Sequence, residues 1–188
     1  NEIMSHPNLI DITQTALVVV DVQEAFRNAI PDFSLIVSRI STAVQGFQIL
    51  GIPVIVTEQY PKGLGVTAEE IQLVLRGENE SVEKTTFSSC GAEAFITKLD
   101  NLGVTRVILC GLETHICVSQ TAHDLLERGF QVHILSDCVA SRFEYNRLAG
   151  LAKMCRSGVI ESSTEMALFE AMRDAKHDKF KEIQALIK

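Results

Sequence analysis

Short, unbroken runs of apolar and β-branched residues recur along the chain: ALVVV at 16–20, PVIVT at 53–57, RVILC at 106–110 and VHIL at 132–135. A weaker run, VIES, stands at 159–162, and Val82 marks a further short one. Continuous rather than alternating apolar runs suit parallel strands covered on both faces. Between them the period lengthens. Phe33, Ile36, Val37, Ile40, Val44 and Phe47 recur at spacings of three and four, so they line one helix face; Gly51 and Pro53 end that helix and open the next strand. Further helices are predicted over 92–102, 115–128 and 145–156, closed by Gly103, Gly129 and Gly158, and over 164–171 and 178–186. Thr67 with Glu70 has the spacing of a capping box opening a short helix.

Strands alternating with helices of this length predict an α/β fold: a three-layer α/β/α sandwich around a doubly wound, mostly parallel, six-stranded sheet. Ligands of such a sheet bind beyond the carboxyl ends of the strands, near the switch in strand order. Asp21 ends the first strand, residues 57–59 end the second, residues 111–117 link the fourth to its helix, and Asp137 follows the fifth.

Composition narrows the class. A chain of 188 residues, 46% hydrophobic and 22% charged, fits one domain (1–188) with a core of its own. We find no repeat or linker, no apolar run of the roughly 18 residues that span a bilayer, and no leader pattern over 1–11. The formal net charge of −7, without a basic stripe, argues against nucleic acid and for a small neutral or weakly charged substrate. Five cysteines, Cys90, Cys110, Cys117, Cys138 and Cys155, form no C-x-x-C pair, which speaks against a disulfide framework or a structural zinc and for a reduced, cytoplasmic setting.

Three residues stand out. Cys117 falls in the first turn of a helix after a Gly-Leu-Glu-Thr turn, where free N–H groups and the helix dipole favour a thiolate and an oxyanion. The bland reading is a small core residue. Asp21 is either a turn cap or a carboxylate at the cleft that takes the thiol proton. Lys84 is either a solvated charge or the cation that balances the other two.

Three ordered blocks sharpen these readings: VVVDVQEAF (18–26), EKTTFS (83–88) and VILCGLETHICVSQTAHDLLERGFQV (107–132). The chain resembles the isochorismatase-like cysteine hydrolases, a superfamily that includes nicotinamidases and N-carbamoylsarcosine amidohydrolases. TEQYPKGLG (57–65) and GLETHICV (111–118) are most similar to its isochorismatase domain-containing subgroup. The resemblance implies an Asp21–Lys84–Cys117 triad and a cis peptide between Leu112 and Glu113. It also implies that the N–H groups of Glu113 and Cys117 share one anion pocket, and that the chain forms a homo-oligomer. The last helix and residues 60–75 are the natural contact regions. Where metal-bearing relatives carry histidines after the second strand, this chain has Glu58 and Gln59, so no metal and no cofactor is expected.

The expected function is hydrolysis of a small amide-type carbonyl compound through a thioester; hydrolysis of a non-amide bond and non-catalytic binding are the alternatives. Gln23 and Thr114 are candidate substrate contacts. Phe26, Tyr60 and Phe87 are aromatic walls or core, and His115 either lines the pocket or bonds a backbone carbonyl. His123 and His133 read as a helix-face and a strand residue, the other four cysteines as structural, and residues 137–141 as a turn.

Overall fold

The computed structural model describes residues 5–77 and 79–188; residues 1–4, part of the stretch read for a leader, lie outside the described residues. All six expected strands form: β1 (Thr15–Val20), β2 (Val54–Gln59), β3 (Val82–Lys84), β4 (Arg106–Leu112), β5 (Gln131–Ala140) and β6 (Ile160–Ser162). They make one sheet in the order β3-β2-β1-β4-β5-β6. Every ladder is parallel, a stricter outcome than the mostly parallel sheet expected. A lone antiparallel bridge joins Gln23 to Thr67 outside the strands. The chain winds one way from β1 to β3 and the other way from β4 to β6, so the order reverses between β1 and β4, and a crevice is expected at their carboxyl ends.

Helices α1 (Phe33–Ile49), α2 (Pro61–Leu64), α3 (Glu69–Gln72), α4 (Glu93–Leu102), α5 (Ser119–Glu127), α6 (Glu144–Arg156), α7 (Thr164–Met172) and α8 (Phe180–Ile187) complete the fold. Every residue of β1 is buried, which is why that segment is apolar without alternation. Leu17 and Val19 pack with Phe33, Val37, Ile40 and Phe47 of α1 and with Leu168 and Ile183 of α7 and α8. Ala16, Val18 and Val20 face the opposite layer, with Phe95, Leu99, Leu125 and Met154 of α4, α5 and α6. Phe180 and Ile187 also lie partly buried against the first core, so part of the apolar stripe of α8 is engaged within the chain.

Other local expectations are corrected. The Thr67–Glu70 capping box does not form: Thr67 gives its N–H and hydroxyl to Glu58 at 2.7 Å each, and Glu70 pairs with Arg27 at 2.9 Å. The helix expected from 115 opens instead as a π-helical turn, Thr114–Val118, before α5 begins. Asp137 lies inside β5 rather than after it; the strand runs on past a register shift opposite Leu109 and Gly111, and Asp137 accepts a 3.0 Å hydrogen bond from the Thr164 N–H.

Two buried details of β4 and β5 have consequences. Gly111 has φ 122°, and a Cβ there would lie 2.1 Å from the Val20 carbonyl oxygen, so only glycine lets the end of β4 close onto the end of β1. His133 of β5 is 1% exposed, and both ring nitrogens lack a protein partner. Burial, aided by Arg106, lowers its pKa from 6.5 to about 4. The unfolded chain therefore takes up a proton below pH 6.5 that the folded chain refuses until about pH 4. Stability present at neutral pH is lost as pH falls through that window, by about 2 kcal/mol at pH 5. Urea midpoints at pH 7.5 and pH 5 are expected to fall less for His133→Leu than for the wild type; equal falls would refute the assignment.

Candidate active site

Asp21 leaves β1 with φ 51°, a left-handed turn that aspartate tolerates better than most residues. Its Oδ1 accepts a 2.7 Å hydrogen bond from the Thr57 hydroxyl at the end of β2, and its Oδ2 a 2.7 Å bond from Lys84 Nζ at the end of β3. The two side chains of this ion pair are 1% and 0% exposed. Lys84 reaches three more oxygens: Gln59 Oε1 at 2.7 Å and the carbonyls of Thr86 and Phe87 at 3.1 and 2.8 Å. A buried charge is tolerated only when its protons are all engaged, and these are.

Cys117 approaches from the other side of the switch point, in the π-helical turn, with 8% of its surface exposed. The Glu113 carbonyl accepts from the N–H groups of Ile116 and Val118 at 3.1 and 3.3 Å, which closes the turn. Burial pushes the thiol up to about 12; the charge of Asp21 and a hydrogen bond to it add to the rise, Glu113 adds further, and Lys84 opposes it. Burial and the charges of Asp21 and Glu113 thus work against the ionised thiol expected at a helix N-terminus, and Lys84 works for it. Burial also raises Cys90, Cys110, Cys138 and Cys155, and all five cysteines are free.

The Leu112–Glu113 peptide is trans, not cis as expected. The chain turns at Gly111 instead, while Leu112 stays in register opposite Ala140 of β5. Glu113 is a buried carboxylate held by Arg142, whose N–H and Nε donate to it at 2.9 and 3.1 Å.

Several expected substrate contacts have other work. Gln23 is fully buried and straps the loop after β2, bonding the N–H and carbonyl of Gln59 and the carbonyl of Gly65. Phe26 is half-buried against the core. Phe87 and Tyr60 are exposed, and Phe87 serves Lys84 through its carbonyl. Thr114 is buried with its hydroxyl unpartnered, and His115 Nδ1 lies 2.9 Å from the Ser141 hydroxyl. Thr57 and Gln59 belong to the strand end that the sequence placed at the crevice, whereas Arg142 was missed and Ser141 was read only as part of a turn; their one signal was position just past the end of β5.

A cleft of about 450 Å³ lies beside the centre, lined by Tyr60, Lys62, Thr86, Ala92 and Lys84; neither Asp21 nor Cys117 lines it. The residues do not fit a catalytic metal. Glu58 is committed to Thr67 and Gln59 to Lys84, and no three His, Cys, Asp or Glu side chains converge on a metal-sized point among the described residues. No helix among them is long and apolar enough to cross a membrane.

Residues 15–166 match the isochorismatase domain. The chain is 46% identical over 181 residues to isochorismatase domain-containing protein 1 of Salmo salar, covering 96% of this chain but 63% of that one, so it spans less than two thirds of that relative. Among solved structures it resembles the MAR1 ribonuclease of Caenorhabditis elegans, with a TM-score of 0.91 and 40% identity over 95% and 92% of the two chains. It also shares the fold of Escherichia coli YcaC, described as an octameric hydrolase of unknown specificity, at a TM-score of 0.86 and 20% identity over 97% and 91%. A doubly wound parallel sheet, a domain match running from β1 into α7, and close relatives over nearly the whole chain lead to one conclusion: the chain belongs to the isochorismatase family and has its hydrolase fold.

Proposed function

We propose that the protein hydrolyses a small, uncharged carbonyl compound of amide type, with Cys117 as nucleophile, Asp21 as base and Lys84 as the fixed counter-charge. The observation that carries this reading is the buried Asp21–Lys84 pair facing a cysteine across the switch point. The thiol rests protonated, so it is activated in concert. As the S–C bond forms, Asp21 takes the thiol proton and the oxyanion is held by the backbone N–H of Cys117, the N–H groups of Ile116 and Val118 being taken by the Glu113 carbonyl. The trans peptide removes the geometry on which a role for the Glu113 N–H rested. Collapse expels the amine, which leaves with the proton from Asp21. Water then attacks the thioester, giving its proton to Asp21, and the thiol is restored as the acid departs.

The cations nearest the thiol are engaged, Lys84 by four protein oxygens and Arg142 by Glu113, which suits an uncharged reacting group, while Lys62 lines the neighbouring cleft. With 8% of its surface exposed, Cys117 is more readily reached by a small molecule than by a bulky one.

The test is a panel of small amides, carbamoyl compounds and esters, with acid quench and mass mapping of the Cys117 peptide. Turnover with an acyl adduct on Cys117, unaffected by chelator, is expected. Turnover that persists in Cys117→Ala would point to non-amide chemistry without the thiol, and binding without turnover to a non-catalytic role. An RNA arm addresses the activity named for the nematode relative. The net charge of −7 and the engaged cations lead us to expect no cleavage there.

We also expect a homo-oligomer. Tyr60, Val66 and Leu73 are each at least 55% exposed, and exposed Phe143 and Tyr145 stack with ring centres 5.5 Å apart. Apolar exposure of this kind suits an interface between copies. Sedimentation at micromolar concentration that found only a 20.7 kDa species would count against it.

A further inference from the structure

We propose that Arg142 is a positioning residue for the nucleophile: with Ser141 it clamps the turn that carries Cys117, and it cancels the charge of the Glu113 carboxylate that faces the thiol. The proposal rests on Cys117 being the nucleophile. Two adjacent residues after β5 hold the π-helical turn, one at His115 within it and one at Glu113 just before it. Ser141 Oγ lies 2.9 Å from His115 Nδ1, and Arg142 grips the Glu113 carboxylate through its N–H at 2.9 Å and its Nε at 3.1 Å. Helix α6 closes the same turn from behind: a Cβ on Gly150 would lie 2.9 Å from the His115 Cα.

The clamp is more than a brace, because Glu113 is 5% exposed and its backbone carbonyl takes the N–H groups of Ile116 and Val118 on either side of Cys117, so its charge lies close enough to add, as the smallest contribution, to the disfavour of the thiolate. A buried carboxylate beside a nucleophile that must become an anion is adverse unless a cation stands against it. Arg142 supplies that cation from a half-exposed position, 48% of its side chain reaching solvent, at the outer end of the pair.

The two partners therefore act on Cys117 with opposite signs, which a purely structural pair would not do. The experiment measures the alkylation rate of Cys117 in the native protein by iodoacetamide between pH 7.5 and 9.5. The Cys117 peptide is followed by mass, and melting is recorded for each variant. Arg142→Gln is expected to slow alkylation about threefold to tenfold, Arg142→Lys to recover most of that rate, and Glu113→Gln to speed it by a similar factor. In the Glu113→Gln background, Arg142→Gln should change little, since no charge is left to cancel. Slowing by both single variants, or no change in either, overturns the proposal while leaving the nucleophile intact. A wild-type Cys117 that is never alkylated while Cys155 is labelled overturns the nucleophile reading itself, and this proposal with it.

Discussion

Lys84→Met is expected to lower the unfolding free energy by about 3–5 kcal/mol, the usual cost of removing one partner of a buried ion pair. Methionine matches the length of the lysine stem, so little cavity is made and the loss is electrostatic. Asp21 Oδ2, Gln59 Oε1 and the carbonyls of Thr86 and Phe87 would all lose their donor inside the fold. Asp21 would keep the Thr57 hydroxyl and the neutral Cys117 thiol but a buried, uncompensated charge. For a chain of this size such a loss moves the melting midpoint down by about 6–20 °C. Calorimetry or urea titration of the two proteins measures it directly. A change below about 1 kcal/mol would mean that the pair is open to water in solution, and the picture of a dry Asp21–Lys84 centre would have to be given up.

Asp21→Asn is expected to split two properties that usually travel together. Turnover should fall about 10²–10⁴-fold, because no other group has been placed to take the thiol proton and later the proton of water. Alkylation of Cys117 should nevertheless become faster. The charge of Asp21 is the second cause, after burial, of the raised thiol, while Lys84 pulls the other way. With the carboxylate gone, the lysine faces the sulfur without a competitor. A drop of one unit in thiol pKa corresponds to about tenfold in thiolate, and hence in alkylation rate well below the pKa. Parallel measurement of kcat on a panel substrate and of the iodoacetamide rate constant decides the matter. If both fall together, Asp21 ionises the resting thiol and the concerted route is wrong.

The sheet was legible because burial on both faces leaves a plain mark: Ala16 to Val20 could be nothing but apolar in a central parallel strand, and glycines stood where helices closed. Asp21, Lys84 and Cys117 were proposed together because three blocks far apart in the chain occurred in order, and the fold brings Asp21 and Lys84 into one buried pair. What stayed hidden depended on partners in space. Gln23 looked like a substrate contact until its amide proved to be filled by Gln59 and Gly65. Thr67 and Glu70 had capping-box spacing, but Glu58 and Arg27 compete for them and win by charge-assisted bonds. The surroundings of the Cys117 thiol were half visible for the same reason: a helix N-terminus shows in the sequence, whereas burial and the charge of Glu113 do not. Arg142 gave no local sign of its task, since nothing in the order of residues links it to Glu113.

The contact at Gly111 has a consequence for redesign. Asp21 and the turn that carries Cys117 follow neighbouring strands whose ends touch backbone to backbone, so the β1–β4 ladder sets where the proposed base and nucleophile start from. Residues 60–66, which carry the exposed Tyr60 and Val66, lie outside that ladder. Grafting a different segment there should exchange the rim presented to incoming molecules while the reactive spacing stays as it is. The scaffold thus separates inheritance of chemistry from choice of customer, and a library built on residues 60–66 with Gly111 held constant is the natural way to exploit it.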